Sequence, residues 1–317
     1  MRILFITATR LGDAVLSTGV LGALLAAHPG ARVTVAGGPV VASLFADVPG
    51  LDAFIPMPKQ KRGGHWFSLW KRVVGRRWDR VIDLRGSLIG YCLRAGRVQR
   101  WGTSGTHGHR VEQLAACFGF DPIPAPRLWI GEESRQAVQA LLKPDGRPLL
   151  VLGPTANFIG KQWPLDRFAD LARALTQPGG ALAGARVLLV GAPTERPAAE
   201  PLFAALPEAE DGFGLGDLRR VGAVLAAATL YIGNDSGLMH LAAAAGAPTL
   251  GLFGPSPPDL YGPWPGLEPT AFVTTDRPYP AHWERLKQYP GFVHQMMDDL
   301  PVARVLTAAQ DLLARGR

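Results

Sequence analysis

The stretch TLYIGNDSGLMHLAAAAGAPTLGLFG, residues 229–254, decides how this chain folds. It opens on a short apolar run, TLYI, and turns through Gly233-Asn234-Asp235-Ser236-Gly237. It continues as a helix-period segment to Gly246 and closes on a second apolar run, TLGLF. Two short, wholly apolar strands joined by one helix are the mark of a parallel sheet covered on both faces.

The same rhythm extends outward. In the first half RILFIT (2–7) precedes a helical segment at 14–28, RVTVAGG (32–38) precedes one predicted at 39–48, and DRVIDLRG (79–86) precedes one predicted at 87–96. It restarts after the Lys143-Pro144-Asp145-Gly146 break with PLLVLGPT (148–155) before a helix at 164–176 and ARVLLVGAP (185–193) before one at 195–206. Pro301 starts a last amphipathic helix, and residues 255–295, rich in Pro, Gly and aromatics, read as long loops over a site. The expected organisation is α/β: two doubly wound domains, 1–146 and 147–300, followed by a C-terminal helix over 301–317.

Composition limits what such a chain can do. Of 317 residues 47% are hydrophobic and 19% charged, which excludes a disordered chain. The formal charge of +7 is unevenly placed: residues 1–150 hold 20 basic and 10 acidic side chains, and 12 of the basic ones fall between Lys59 and Arg100. Lys59, Lys61, Arg62, Arg72, Arg76 and Arg77 are the candidate patch for an anionic partner, whether phosphorylated acceptor, membrane surface or nucleic acid. Trp66, Trp70, Val73 and Val74 lie among those charges at helical spacing, which favours an amphipathic helix over a base-stacking surface, so no nucleic acid is expected. Cys92 and Cys117 have no metal-ligand spacing and read as buried thiols of a reducing compartment. The opening residues are broken by Arg10 and Asp13 and do not form a secretion signal, and no apolar run is long enough to span a bilayer. A cytoplasmic protein is expected, with any membrane contact peripheral.

Common nucleotide signatures fail. Gly214-x-Gly216 has Arg219 where the dinucleotide fingerprint needs a third glycine, and Gly160-Lys161 lacks both the leading glycine, replaced by Thr155, and the following Ser/Thr, replaced by Gln162. No HExxH and no Asp-x-Asp pair is present.

Ligands of a doubly wound sheet sit beyond the carboxyl ends of the strands. There, Ser236 and Gly237 open a helix and offer free N–H groups to an anion, with His240 one turn on the same face. The plain alternative makes Asp235 or Ser236 an N-cap and His240 a core residue. Lys161 stands just before the helix at Pro164, where the dipole repels it, so it is either a partner for a bound anion or a solvated surface lysine. Glu195 follows another strand and is either a helix cap or an acceptor for ribose hydroxyls. Asp13, after the first strand, is either a cap or a general base.

Taken together, RLGDAVLST, GKQWP followed by RFADLA, VGAPTE, and GNDSGLMHLAAAAGAPTLGLFGPSPP resemble glycosyltransferase family nine, the ADP-heptose:lipopolysaccharide heptosyltransferases. The resemblance covers nearly the whole chain. It implies a GT-B architecture, with two Rossmann-like domains facing across a cleft, donor on the second and acceptor on the first. It implies inverting, metal-independent transfer with no cofactor, from ADP-heptose to a phosphorylated lipid or oligosaccharide acceptor. By motif, Asp13 is similar to the general base and Lys161 to the partner of the donor phosphates, with Thr155 and Asn157 lining the same loop. Glu195 matches the ribose-binding acid, Asp235 a neighbour of the sugar hydroxyls, and Ser236, Gly237 and His240 the diphosphate site. One departure is Gly19, where the family commonly carries proline.

Overall fold

The computed structural model describes residues 1–102, 108–142, 145–267 and 269–315. Lys143 and Pro144 of the expected interdomain break lie outside the described residues. The chain forms two compact units, one of Met1–Gly131 with Asp217–Arg219, the other of Glu132–Gly216 with the chain from Arg220 onward.

The first unit is a parallel sheet of β1 (Arg2–Ile6), β2 (Arg32–Gly37), β3 (Leu51–Pro56), β4 (Arg77–Asp83) and β5 (Arg94–Arg100), in the order β3-β2-β1-β4-β5. Its helices are α1 (Leu11–Ala27), α2 (Gly64–Val73) and α3 (Arg110–Phe118). In β1 every residue after Arg2 is buried, so RILFI is apolar on both faces. Gly19 has a spatial reason: a Cβ there would lie 2.7 Å from the Ala125 carbonyl oxygen, because the 124–127 segment runs directly over α1. That segment is fixed by the Arg127 N–H donating to Thr18 Oγ1 at 2.9 Å.

The second unit is a six-stranded parallel sheet: β6 (Leu149–Gly153), β7 (Arg186–Leu189), β8 (Glu210–Asp211), β9 (Leu230–Asn234), β10 (Thr249–Phe253) and β11 (Thr270–Thr274), ordered β8-β7-β6-β9-β10-β11. Around it lie α4 (Glu132–Leu142), α5 (Leu165–Thr176), α6 (Glu200–Ala205), α7 (Leu218–Ala226), α8 (Gly237–Ala245), α9 (Pro258–Tyr261), α10 (Tyr279–Gln288) and α11 (Val302–Arg315). β6, β9 and β10 are buried from end to end. Trp163 packs edge-on to Phe168 at 4.9 Å, and its indole N–H donates to the Leu300 carbonyl at 2.9 Å.

Both sheets reverse their strand order once, between β1 and β4 in the first and between β6 and β9 in the second. At such a reversal the connecting loops diverge to opposite faces and leave a crevice beyond the strand ends.

Several expectations need correction. The first unit ends at Gly131 rather than 146, since α4 groups with the second unit. The expected C-terminal helix is α11, and its Val305, Ala309 and Leu312 are part of the second core. The helix expected over 39–48 is two 3-10 turns, Pro39–Val41 and Ser43–Phe45. The one expected over 87–96 is a 3-10 turn, Ile89–Cys92, followed by β5. There the Asp83 carboxylate binds the Ser87 N–H at 2.8 Å and the Ser87 hydroxyl, which holds the chain in a loop. The supposed loops over 255–295 contain β11 and α10. Cys92 is exposed and Cys117 half-buried, so neither is a core thiol.

Candidate active site

The loops that leave β6 and β9 meet at the reversal point of the second sheet. Asn234, fully buried at the end of β9, accepts from the Trp163 N–H through Oδ1 at 2.9 Å and donates from Nδ2 to the Pro154 carbonyl at 2.8 Å. One side chain thus fixes both ends of the 154–163 loop to β9. On that loop, in the 3-10 turn Ile159–Lys161, Lys161 Nζ lies 2.5 Å from Asp235 Oδ2. The Ser256 hydroxyl, beyond β10, donates to the same carboxylate oxygen at 2.5 Å. Lys161 is 24% exposed and Asp235 only 7%, so the ammonium is held at the surface of the crevice by a carboxylate sunk beneath it. Of three ammonium donors one is committed here, which leaves others for ligand oxygens.

The neighbouring loop after β7 is tied in as well. Thr155 Oγ1 donates to Glu195 Oε2 at 2.7 Å, and the Ala192 N–H reaches the same oxygen at 3.1 Å. Glu195 therefore closes its own turn and also binds Thr155, while Asn157 stands exposed on the β6 loop. On the other side Phe158 stacks on Trp283 at 5.6 Å, and the Trp283 indole N–H donates to the Pro255 carbonyl at 2.8 Å.

α8 begins at this crevice. Ser236 occupies its N-cap position with extended backbone but makes no side-chain cap, and Asp235 is engaged with Lys161 and Ser256. Neither side chain therefore does the capping work, and the first N–H groups from Gly237 onward have no intrahelical partner. His240 is buried one turn further along α8.

In the first unit Asp13 lies half-buried in the first turn of α1, at the carboxyl edge of β1; the N-cap position belongs to Arg10. On β4, next to β1 across the reversal, Asp83 is buried and spends its carboxylate on the backbone of Arg85 and Ser87. The Arg85 guanidinium stacks over Trp66 at 4.6 Å.

The six candidate patch residues are spread from one edge of the first sheet to the other, with Arg72 between them. Lys59, Lys61 and Arg62 follow β3 at the carboxyl edge of the sheet, Arg62 with a positive φ of 52°. Arg76 and Arg77 stand at the opposite, amino edge, where β4 begins. Arg76 is paired there with Asp52 at 2.8 Å, and Arg32 joins the same carboxylate at 2.6 Å. Those two guanidinium groups, Arg32's hydrogen bond first, hold the Asp52 carboxyl below its ordinary range. Arg72, on the last turn of α2, lines one cavity of about 200 Å³ with His65 and Gln60 and a second of about 200 Å³ with Arg76.

A family model described as glycosyltransferase family 9 (heptosyltransferase) matches residues 107–280, more than half of the chain. The chain belongs to glycosyltransferase family 9. It is 26% identical to lipopolysaccharide heptosyltransferase 2 of Salmonella typhimurium, over 99% of each chain. Among solved structures it resembles the family 9 glycosyl transferase of Veillonella parvula, with a TM-score of 0.83 at 20% identity, covering 99% of this chain and 97% of that one. It also resembles E. coli ADP-heptose lps heptosyltransferase II, with a TM-score of 0.77 at 23% identity, covering 100% and 99%. The fold class read from the sequence, α/β with two Rossmann-like sheets of the GT-B kind, is therefore the fold of this family 9 glycosyltransferase.

In this glycosyltransferase Lys161 and Asp235, and likewise Thr155 and Glu195, legible in the sequence only as separate polar residues, each form a bonded pair. Asn234, Ser256 and Tyr231 are functional residues that the sequence does not single out. Asn234 sits in the GNDSG turn and carried a signal, a polar amide closing an apolar strand; Tyr231 carried none, because it reads as one more strand aromatic. Among the described residues no group of three His, Cys, Asp or Glu side chains is arranged to hold a metal ion, and no helix is long and apolar enough to cross a membrane.

Proposed function

We propose that this glycosyltransferase moves a heptose from ADP-heptose to a lipopolysaccharide inner-core acceptor, with inversion and without a divalent metal ion. The observation that carries the reading is the Lys161–Asp235 pair beside the uncapped amino end of α8. It supplies a held cation and free N–H groups on one crevice, as a diphosphate requires. The donor is supported by a solved relative, E. coli heptosyltransferase WaaC with ADP, and the acceptor by the lipopolysaccharide heptosyltransferases that this chain resembles.

In the proposed reaction an acceptor hydroxyl oxygen bonds to the anomeric carbon of the heptose as the bond from that carbon to the phosphate oxygen breaks. The bonding pair leaves with ADP. Lys161 and the α8 amino end stabilise the charge that develops on the diphosphate. Asp13 takes the proton of the hydroxyl. Glu195 and Thr155 hold the ribose, Asp235 stands by the sugar hydroxyls, and His240 supports the α8 end. The test is calorimetric titration with ADP, UDP and GDP, followed by ADP-heptose turnover in excess chelator. Tight binding of ADP with undiminished turnover is expected. Preference for UDP or GDP would instead make this a GT-B enzyme for another nucleotide sugar.

A cytoplasmic enzyme in peripheral contact with an anionic membrane is the matching location. What supports it is a set of apolar side chains on the first unit, Phe67, Leu88 and Tyr91, exposed by 58%, 65% and 64%. Phe67 stacks on Trp70, the Trp70 indole N–H donates to the Cys92 carbonyl beside Tyr91, and Lys71 Nζ lies 4.5 Å above the Phe67 ring. Aromatic rings with a cation among them suit an anionic lipid interface. Flotation with anionic but not neutral vesicles is expected, and equal recovery without vesicles would remove this part of the proposal.

A further inference from the structure

Tyr231 on β9 is completely buried, and among the described residues its hydroxyl is set against the Ser236 hydroxyl and no other hydrogen-bonding group. Its ring lies along the strand over Gly153 and Gly233, which pair with each other across β6 and β9. A Cβ on either glycine would strike the hydroxyl and come within 2.9 Å of Cζ. Two glycines thus open a channel that carries the phenol to the carboxyl edge of the sheet, beneath the crevice.

Ser236 is the polar side chain it meets there. The Ser236 hydroxyl is also buried and has no partner besides Tyr231, although Ser236 holds the position from which serine ordinarily caps a helix. Burial pushes the Tyr231 hydroxyl well above its ordinary range, with Ser236 working against the shift and the Glu195 carboxylate adding to it. The phenol therefore stays protonated, and Ser236 Oγ is the acceptor set against it. A phenylalanine would fill the same channel with no buried hydroxyl to satisfy.

We infer that Tyr231 is a positioning residue for the donor diphosphate: its O–H donates to Ser236 Oγ and so fixes the Ser236–Gly237 turn, whose uncapped backbone N–H groups take the phosphate oxygens. The inference rests on the donor-site reading above. A serine hydroxyl has two lone pairs, and a fixed donor on one of them holds the side chain, and with it the turn that carries it, in one position.

The test compares wild type, Tyr231→Phe, Ser236→Ala and the double variant, by calorimetry with ADP, by thermal melting, and by donor KM. Tyr231→Phe is expected to melt at or above wild type and to bind ADP about three- to tenfold more weakly, the worth of one neutral hydrogen bond. Donor KM should rise by the same factor. In the Ser236→Ala background the tyrosine change should cost nothing further. Wild-type ADP affinity in Tyr231→Phe, with or without a drop in melting temperature, overturns the inference, as does a full additional loss in the double variant. If wild type itself binds no ADP, the donor-site reading falls and takes this one with it; that outcome is distinct from a silent Tyr231→Phe.

Discussion

Lys161 Nζ stands 2.5 Å from Asp235 Oδ2, and the two residues come from loops on either side of the β6–β9 reversal. The lysine is therefore not a free surface cation but one placed by a buried carboxylate. Lys161→Ala should weaken ADP binding about ten- to a hundredfold, the range for one or two charge-assisted bonds. Calorimetry checks this, and an unchanged ADP affinity would remove Lys161 from the donor site.

Asn234→Ala should lower the unfolding free energy by about 2–4 kcal/mol, because it leaves the Trp163 N–H and the Pro154 carbonyl buried and unpaired. Asn234→Asp keeps the acceptor toward Trp163 but loses the donor toward Pro154, so it should also destabilise. Urea unfolding measures both. A loss of less than about 0.5 kcal/mol in the alanine variant, the range of an ordinary surface change, would show that the 154–163 loop is held by something else.

Asp13→Asn should retain the fold and ADP affinity while turnover falls by about 10²–10⁴, the usual worth of a general base. The amide is close in shape and lies in the first turn of α1, so melting temperature should change little. Turnover near wild type in a folded Asp13→Asn enzyme would exclude the role.

The split of the basic block gives a paired test. Reversing Lys59 and Lys61, at the carboxyl edge of the first sheet, should raise the acceptor KM several-fold with ADP affinity unchanged. Reversing Arg76 and Arg77, at the amino edge, should leave the acceptor KM alone and instead destabilise the fold slightly through Asp52. Acceptor titrations on the two variants decide it; equal effects would mean that the edges act as one surface.

Stability should fall as the solution is acidified below about pH 6.5. Burial, with the Arg85 charge second, lowers the pKa of His65, and burial, with the Arg277 charge second, lowers that of His282. Both rings bind a proton more readily unfolded than folded, so their contribution is complete above the ordinary value of 6.5 and is lost as pH drops toward the folded values. Melts at pH 7.5 and 5.5 should show the loss, and His282→Gln should reduce it. The glutamine variant losing as much as wild type would place the effect elsewhere.

How much of this was legible in the sequence follows from what each residue depends on. RILFI, LLVLG and TLGLF announce themselves because a central parallel strand is buried on both faces. RAGRVQR does not: β5 is an edge strand whose arginines fall at every third residue, 94, 97 and 100, a spacing with no apolar alternation, and charge of that kind blunts an open edge. Lys161, Asp235 and Ser236 were visible as polar residues between a strand and a helix. The Tyr231 channel was not, since it depends on Gly153 and Gly233 falling in register. The layout of the basic block was hidden for the same reason: composition counts charges but cannot say which edge of a sheet they occupy.

The β6–β9 seam also bears on how the chain acquires its shape during synthesis. Asn234 and Pro154, which meet across it, are 80 residues apart, so β6 emerges with a bare apolar flank and waits for most of a domain's length before its neighbour exists. β7 and α5 can dock beforehand, yet the crevice residues on the two sides come together only when β9 is inserted. The late step that completes the sheet is thus the one that creates the binding crevice, and a nascent chain halted before residue 230 would present an open strand edge to chaperones rather than a partial enzyme.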